Sequence, residues 1–202
     1  NLNPVLADEA GSMALDVRVE IAALPPGDRT LLASRRFAIR PYPRQLEGIA
    51  RLPGGAELMV RPLRPTDAYA IAAMFKQCSA ADLRMRFFAA KHSVDAAQIA
   101  RLTQIDYARE MALVAVEPAT GDILAVVRLH GDANHDTAEY AIIVRSDWQG
   151  LGLGHQLMTR MIAFARSEDY SSINGQVLHE NERMLAMCRH LGFNWDHGPA
   201  DD

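Results

Sequence analysis

Cysteine is scarce in this 202-residue chain: only Cys78 and Cys188 occur, far apart and without Cys-x-x-Cys spacing. That excludes a disulfide-stapled scaffold and offers no zinc-binding pattern. The seven histidines show no His-Glu-x-x-His or related ligand spacing, so no metal is expected. No apolar run approaches the roughly 20 residues that a membrane-crossing helix needs, and no secretory hydrophobic core opens the sequence. A surplus of charge of one sign is also missing. The 21 basic and 25 acidic residues leave a net charge of −4 and a pI near 6.0, which points away from nucleic acid and anionic membranes as partners. Against these absences stands an ordinary apolar fraction of 49%, which excludes wholesale disorder. The length allows one domain of about 150 residues plus a remnant. The expectation is a soluble, cytoplasmic protein. The sequence opens on Asn1 and ends shortly after a Gly-Pro pair, and it reads as a piece of something longer.

Residues 14–22 alternate apolar and polar through Leu15, Val17, Val19 and Ile21, the pattern of a half-buried strand. Pro25, Pro26 and Gly27 end it, and Pro41 and Pro43 keep the following extended piece from becoming a helix. Arg51-Leu-Pro-Gly-Gly55 reads as a linker, dividing the chain into 1–52 and 53–202. A strand and loops cannot bury a core of their own, so the first part reads as a remnant.

After Gly55 strands and helices mix. Glu57 to Leu63 predicts a strand, and Pro65-Thr-Asp67 opens a helix carrying Ile71, Met74 and Phe75. Ser79 with Asp82 forms a capping-box pattern for a helix reaching Phe88, and Ser93 is expected to cap another containing Ile99 and Leu102. Met111–Val116, Ile123–Leu129 and Ala138–Val144 predict three strands of a meander, with turns at Thr120-Gly-Asp122 and Gly131–Asp136. A helix follows with Leu157, Met158, Met161, Ile162 and Ala165 on one face. Ser171 to Leu178 predicts a further strand, and Asn181 starts a last helix that Leu191-Gly-Phe193 ends.

Between the third meander strand and its helix lies Gln149-Gly-Leu-Gly-Leu-Gly154. Glycines there let successive N–H groups curl around a phosphate, and a helix N-terminus adds about half a positive charge. Tight turns use glycine as well, so the loop alone leaves both uses open. No Lys-Ser/Thr follows the glycines, which excludes a Walker A loop. The Gly-x-Gly-x-Gly spacing and the preceding meander exclude the dinucleotide fingerprint.

The Gln-x-x-Gly-x-Gly pattern directly after Ile142-Ile-Val144, followed by helix, strand and Asn181…Leu191-Gly-Phe193, resembles the GNAT acetyltransferase superfamily over about residues 56–195. The resemblance implies an α/β (α+β) fold, a mixed and mostly antiparallel sheet flanked by helices. It implies that the amides of Gln149, Gly150, Leu151, Gly152, Leu153, Gly154 and His155 hold the pyrophosphate of acetyl-CoA. It also implies that the backbone of Ile142, Ile143 and Val144 pairs with pantetheine like an added strand, one amide polarising the thioester carbonyl, with Asn181 and Met184 along the arm. Many members carry Tyr seven residues after that Asn as acid for the leaving thiolate. Here it is Cys188, expected as a small buried thiol.

Arg61-Pro-Leu-Arg-Pro-Thr-Asp67, Arg86-Phe-Phe88, Ile105-Asp-Tyr-Ala-Arg-Glu-Met-Ala112 and Ala138-Glu-Tyr-Ala141 look like the bacterial protein lysine acetyltransferases that modify acyl-CoA synthetases. Those are often fused behind an NDP-forming acyl-CoA-synthetase-like region. Asn3-Pro-Val-Leu-Ala-Asp8 and Ala14-Leu-Asp-Val-Arg18 resemble the end of its ATP-grasp domain, with Asn3 and Asp16 at its Mg²⁺-ligand positions. Without the rest of that module no metal or nucleotide site is expected in this stretch.

A lysine of pKa about 10.4 is neutral at pH 7 only about once in 2,500 molecules, a penalty of roughly 4.6 kcal/mol. A carboxylate near the thioester removes that proton directly or through water. Glu139, on the strand leading to the loop, matches the family's general base. Asp106 and Tyr107 are candidates for acceptor binding or for a helix-cap or interdomain role. Arg84, Arg86 and Lys91 form a mild basic cluster, expected as a solvated face. The implied function is acetyl transfer from acetyl-CoA to a protein lysine, with an acyl-CoA synthetase as partner. The alternatives are a non-catalytic acetyl-CoA-sensing domain and a small-amine N-acetyltransferase.

Overall fold

The computed structural model describes residues 5–9, 11–14, 40–89 and 93–195, and the chain divides into two compact units, Asn1–Phe37 and Ala38–Asp202. In the first, β1 (Val5–Asp8) and β2 (Gly11–Ala14) form an antiparallel hairpin with Asp8 opposite Gly11. The strand expected over 14–22 lies outside the described residues beyond Ala14, as do Asn3 and Asp16.

The second unit is built on a six-stranded sheet: β3 (Gly48–Arg51), β4 (Glu57–Pro62), β5 (Glu110–Val116), β6 (Ile123–Gly131), β7 (Thr137–Val144) and β8 (Ser172–Asn174), in that spatial order. All neighbours are antiparallel except β7 and β8, which run parallel. The segment expected as a linker at Arg51–Gly55 instead closes the β3–β4 hairpin, with the Leu52 N–H donating to Ala56 O at 2.9 Å and the Gly55 N–H to Leu52 O at 3.0 Å. Gly54 and Gly55, at φ +99° and +90°, supply the left-handed backbone of that turn. Ala50 and Leu52 are buried in the core. Turns and linkers share a Pro-Gly composition, and only the partner strand tells them apart.

Among the described residues five helices cover the sheet: α1 (Ala68–Lys76), α2 (Ala80–Phe87), α3 (Ala96–Thr103), α4 (Leu153–Ser167) and α5 (Glu182–His190). The start of α1 is pinned by the Asp67 carboxylate, which accepts from Arg61 Nη1 and Nη2 at 2.7 and 2.8 Å and from the Arg64 N–H at 2.8 Å. Ser79 caps α2 through the Asp82 N–H, as expected. The cap of α3 is Asp95, whose carboxylate accepts from the Gln98 N–H at 2.7 Å, rather than the expected Ser93. Both residue types cap, and Asp95 stands where its oxygen reaches an otherwise unbonded first-turn amide.

α4 lays Leu157, Met158, Met161 and Phe164 against Val60, Leu113 and Ala125 on one sheet face. On the other face α1, α2 and α3 bring Ile71, Phe75, Leu83 and Ile99 against Ala112, Val114 and Ile143. β5 is therefore covered on both sides, which is why Met111–Val116 reads as a continuous apolar run while β4 alternates. Each of these large side chains gains roughly 1.5–3 kcal/mol from leaving water. Among the described residues no helix is long and apolar enough to cross a membrane.

Candidate active site

β7 has a different neighbour at its two ends. Along one edge it pairs with β6 from Ala138 to Val144, and along the other it pairs with β8 only from Thr137 to Glu139. The strand expected over 171–178 is thus only Ser172–Asn174. Directly after it, a Cβ on Gly175 would stand 2.6 Å from the ring of Tyr140, so the chain passes that ring only because it lacks a side chain there. From Tyr140 onward one edge of β7 faces a cleft of about 920 Å³, walled by β7, α2, the 148–155 loop and the start of α5. That volume suits a sizeable ligand.

The floor of the cleft is a run of free backbone donors. Gly150 and Gly152 sit at φ +77° and +80°, where L side chains are strained. The first bond of α4 is the Gln156 N–H to Gly152 O at 3.1 Å. The amides from Gly150 to His155 find no acceptor among the described residues, and no acidic side chain occupies the first turn of α4. The helix dipole therefore points an uncompensated positive end at the cleft. Gly154 lies close to the sheet, where a Cβ would be 3.5 Å from Val144 Cγ2. Gln149 ties the loop to its surroundings: its Nε2 donates to Val144 O and its Oε1 accepts from Arg183 Nη1, both at 3.1 Å.

Most expected site residues meet here. Ile142, Ile143 and Val144 form the open-edged part of β7, while Gly150, Gly152, Gly154 and His155 line the loop. Asn181 and Met184 face them from α5. The Asn181 Oδ1 accepts from the Met184 N–H at 3.2 Å and so caps α5, leaving its amide N–H₂ as a donor toward the cleft. Leu153 is buried in the core and Leu151 does not line the cleft, so neither presents its side chain there. Glu139, at the last rung before β7 and β8 part, is exposed on the cleft with no ion pair among the described residues.

One open expectation is narrowed and another is corrected. Asp106 and Tyr107 do not line the cleft. The Tyr107 hydroxyl donates to Leu63 O at 2.6 Å, and Asp106 accepts from the Ala108 N–H at 3.0 Å, so both are structural. The basic cluster is not simply a solvated face: Arg84 ion-pairs with Glu180 across the cleft mouth, and Arg86 lies half-buried inside. Lys91 is outside the described residues. Burial, with the neighbouring Arg128 charge adding to it, pushes the Arg86 guanidinium down to about 10, and Glu139 opposes the shift. Sequence reasoning missed Arg183 and Gln176 as cleft residues. A basic residue two after Asn181, at a helix start beside a phosphate-type loop, was the available signal for Arg183.

Cys188 is 2% exposed, and its Sγ lies 3.1 Å from the Tyr140 hydroxyl. It does not line the cleft. The arrangement as a whole offers an extended ligand a strand edge for amide pairing, a nest of N–H groups for its phosphates, and a solvent-reaching carboxylate upstream. Among the described residues no cluster of three or more acidic, histidine or cysteine side chains could hold a metal.

The acetyltransferase (GNAT) domain model matches residues 57–194. The chain is 28% identical over 155 residues to acetyltransferase PA5475 of Pseudomonas aeruginosa, covering 76% of this chain and 83% of that protein. It is 34% identical over 95 residues to acetyltransferase Pat of Mycolicibacterium smegmatis, covering 46% of this chain but 28% of that longer protein. Among solved structures, the GNAT domain of S. lividans PAT superposes with a TM-score of 0.74 at 27% identity, over 80% of this chain and 95% of that one. With the splayed β7–β8 pair and the glycine loop inside the matched span, the chain belongs to the GNAT acetyltransferase family.

Proposed function

We propose that this domain transfers the acetyl group of acetyl-CoA to the ε-amine of a protein lysine, with an acyl-CoA synthetase as partner, both substrates being bound at once. The observation that carries the reading is the alignment along β7 of an unpaired carboxylate, an open strand edge and a nest of free amides. Its likeness to the S. lividans PAT domain and to M. smegmatis Pat supports the choice of a Pat-type acceptor.

Acetyl-CoA supplies a thioester already activated for acyl transfer, so no covalent enzyme intermediate is needed. The amides of Gly150 to His155 hold the pyrophosphate, helped by the dipole of α4. Ile142 to Val144 pair with the pantetheine arm as an added strand, and one of their amides polarises the carbonyl. Asn181 donates its free N–H₂ to the arm, and Met184 packs beside it. Glu139 takes a proton from the arriving ammonium. Ile142 is three residues farther along the strand, about 10 Å away, so the proton travels through an intervening water. The amine nitrogen then bonds to the acetyl carbon and gives up its second proton to water as the C–S bond breaks. Buried Cys188 is screened from the cleft, and the thiolate takes its proton from water.

The test is mass spectrometry of an acyl-CoA synthetase after incubation with acetyl-CoA and either the wild-type protein or Glu139→Gln. Acetyl-lysine that depends on Glu139 is the expected result. Binding of acetyl-CoA with acetylation of small amines only would replace the protein acceptor by a small one. Binding with no acetylation at all would leave a sensing domain, the reading toward which the absence of Tyr at position 188 leans.

A further inference from the structure

Two opposite charges in the acceptor half of the cleft do not meet. Glu139, Ala141 and Ile143 alternate onto the sheet face that α1, α2 and α3 cover. Arg128 stands on the same face, directly across from Ala141 on β6. Its guanidinium has partners, donating to Glu110 Oε2 at 2.5 Å and to Leu102 O. Arg86, reaching in from α2, has no such partner. It lines both the main cleft and a narrow recess formed by Leu63, Ile71, Phe75, Leu102, Val126 and Ala141, with Arg128 also on the wall. Its guanidinium lies 5.1 Å over the Phe87 ring and makes no hydrogen bond or ion pair with any described residue. Glu139 is near enough to act on it electrostatically, yet the two form no ion pair.

A guanidinium removed from much of its water, beside a second guanidinium and without an acceptor for its five donors, is costly to maintain. Arg86 borders the open cleft as well as the recess, so a group arriving in the cleft can reach it. We propose that Arg86 is a specificity-determining residue that binds a carboxylate carried by the acceptor. The acceptor is then an amine with an acidic group close by, its ammonium meeting Glu139 and its carboxylate meeting Arg86. The planar fork of Arg matches a carboxylate in two parallel bonds. The phosphate loop is no competitor for Arg86, because Glu139 and Val144 are five residues apart on β7, about 17 Å. The carboxylate can come from an Asp or Glu beside the target lysine or from the α-carboxylate of a free amino acid.

This inference rests on the acetyl-transfer reading, and the experiment separates the two. Steady-state acetylation is measured for a lysine peptide with a flanking Asp, its Asn counterpart, a free diamino acid, and the same amino acid as its amide. The proteins are wild type, Arg86→Gln and Arg86→Lys, each first titrated with acetyl-CoA by calorimetry to establish that the fold and cofactor site persist. A charge-assisted bond is worth a roughly tenfold to hundredfold preference, so wild type is expected to favour an acidic acceptor by that ratio, through KM. Arg86→Gln should bring the ratio to about one, and Arg86→Lys should restore part of it. A preference confined to the peptide pair assigns the carboxylate to the lysine's neighbour, and one confined to the amino-acid pair assigns it to the α-carboxylate. Equal use of acidic and neutral acceptors by wild type, or a preference that survives in Arg86→Gln, overturns the role of Arg86 while leaving acetyl transfer intact. Acetyl-CoA binding with no acetylation of any acceptor overturns both.

Discussion

Replacing Gly152 by Val separates the ligand-binding role of the glycine loop from its backbone geometry. Gly152 has φ +80° and ψ −1°, and the nearest atom to an added Cβ is Pro53 Cδ at 3.9 Å. The protein itself therefore has room for the side chain, and the folding cost is the left-handed backbone alone. That cost is roughly 1–2 kcal/mol, which for a chain of this size lowers Tm by about 2–8 °C. The branched side chain would also stand over the amides of Gly150 to His155 and keep a pyrophosphate from at least two of them. At about 1.5 kcal/mol or more for each charge-assisted bond, acetyl-CoA should bind about a hundredfold more weakly. Gly121 provides the control: it has φ +79°, open space around its Cβ, and a place in the β5–β6 turn away from the cleft. Gly121→Val should lose the same stability and keep its affinity. The assay is isothermal calorimetry well below both melting temperatures. If the two variants bind acetyl-CoA equally, the amide nest is not the phosphate site.

Glu139→Gln keeps the shape of the side chain and removes its basicity, so kcat should fall by roughly 10²–10⁴ with acetyl-CoA affinity unchanged. Raising the pH should recover part of the rate, because more of the acceptor amine is neutral without help; near-normal turnover at pH 7 would remove Glu139 from the mechanism. Asp67→Ala leaves Arg61 without its carboxylate at a site where both side chains are about one-tenth exposed. The expected loss is about 3–5 kcal/mol and a drop of roughly 6–20 °C in Tm, and a thermal melt within 2 °C of wild type would contradict it. Burial, followed by the Asp82 charge, raises the Cys78 thiol to about 11. Only about one Cys78 in 10⁴ is then thiolate at pH 7, so its alkylation should be slow and accelerate about tenfold per pH unit. A rate that levels off below pH 9 would show that the thiol is not suppressed in this way.

The elements that could be read from residue order are those whose causes lie within a few positions. Pro65-Thr-Asp67 and Ser79-x-x-Asp82 mark helix starts because capping is a local hydrogen bond, and both helices form where they were expected. The continuous run Met111–Val116 gave β5, and the Ala138–Val144 strand followed by Gln149–Gly154 located β7 and the glycine loop that opens α4. Where two neighbouring residues are chemically equivalent, as Ser93 and Asp95 are for capping, spacing alone chose the wrong one. The Pro-Gly-Gly turn before β4 passed for a linker because its pairing partner, Gly48–Arg51, is too short to announce itself.

By itself, then, the residue order determined the strand and helix succession, the left-handed glycines before α4 and the presence of Glu139 on the strand leading to them. All of these follow from backbone preference and short-range periodicity. Tertiary structure alone decided how far β8 runs, because it stops where Gly175 meets the ring of Tyr140 on another strand. It also decided that Tyr107 serves Leu63 rather than an acceptor. Above all it decided the standing of Arg86, which in sequence is one of three nearby cations. Whether such a cation is solvated or left wanting a partner depends on the water removed by α1, α3 and the sheet, and on Arg128 and Glu139, which other strands bring beside it. Desolvation is a property of the assembled surface, and no local pattern encodes it.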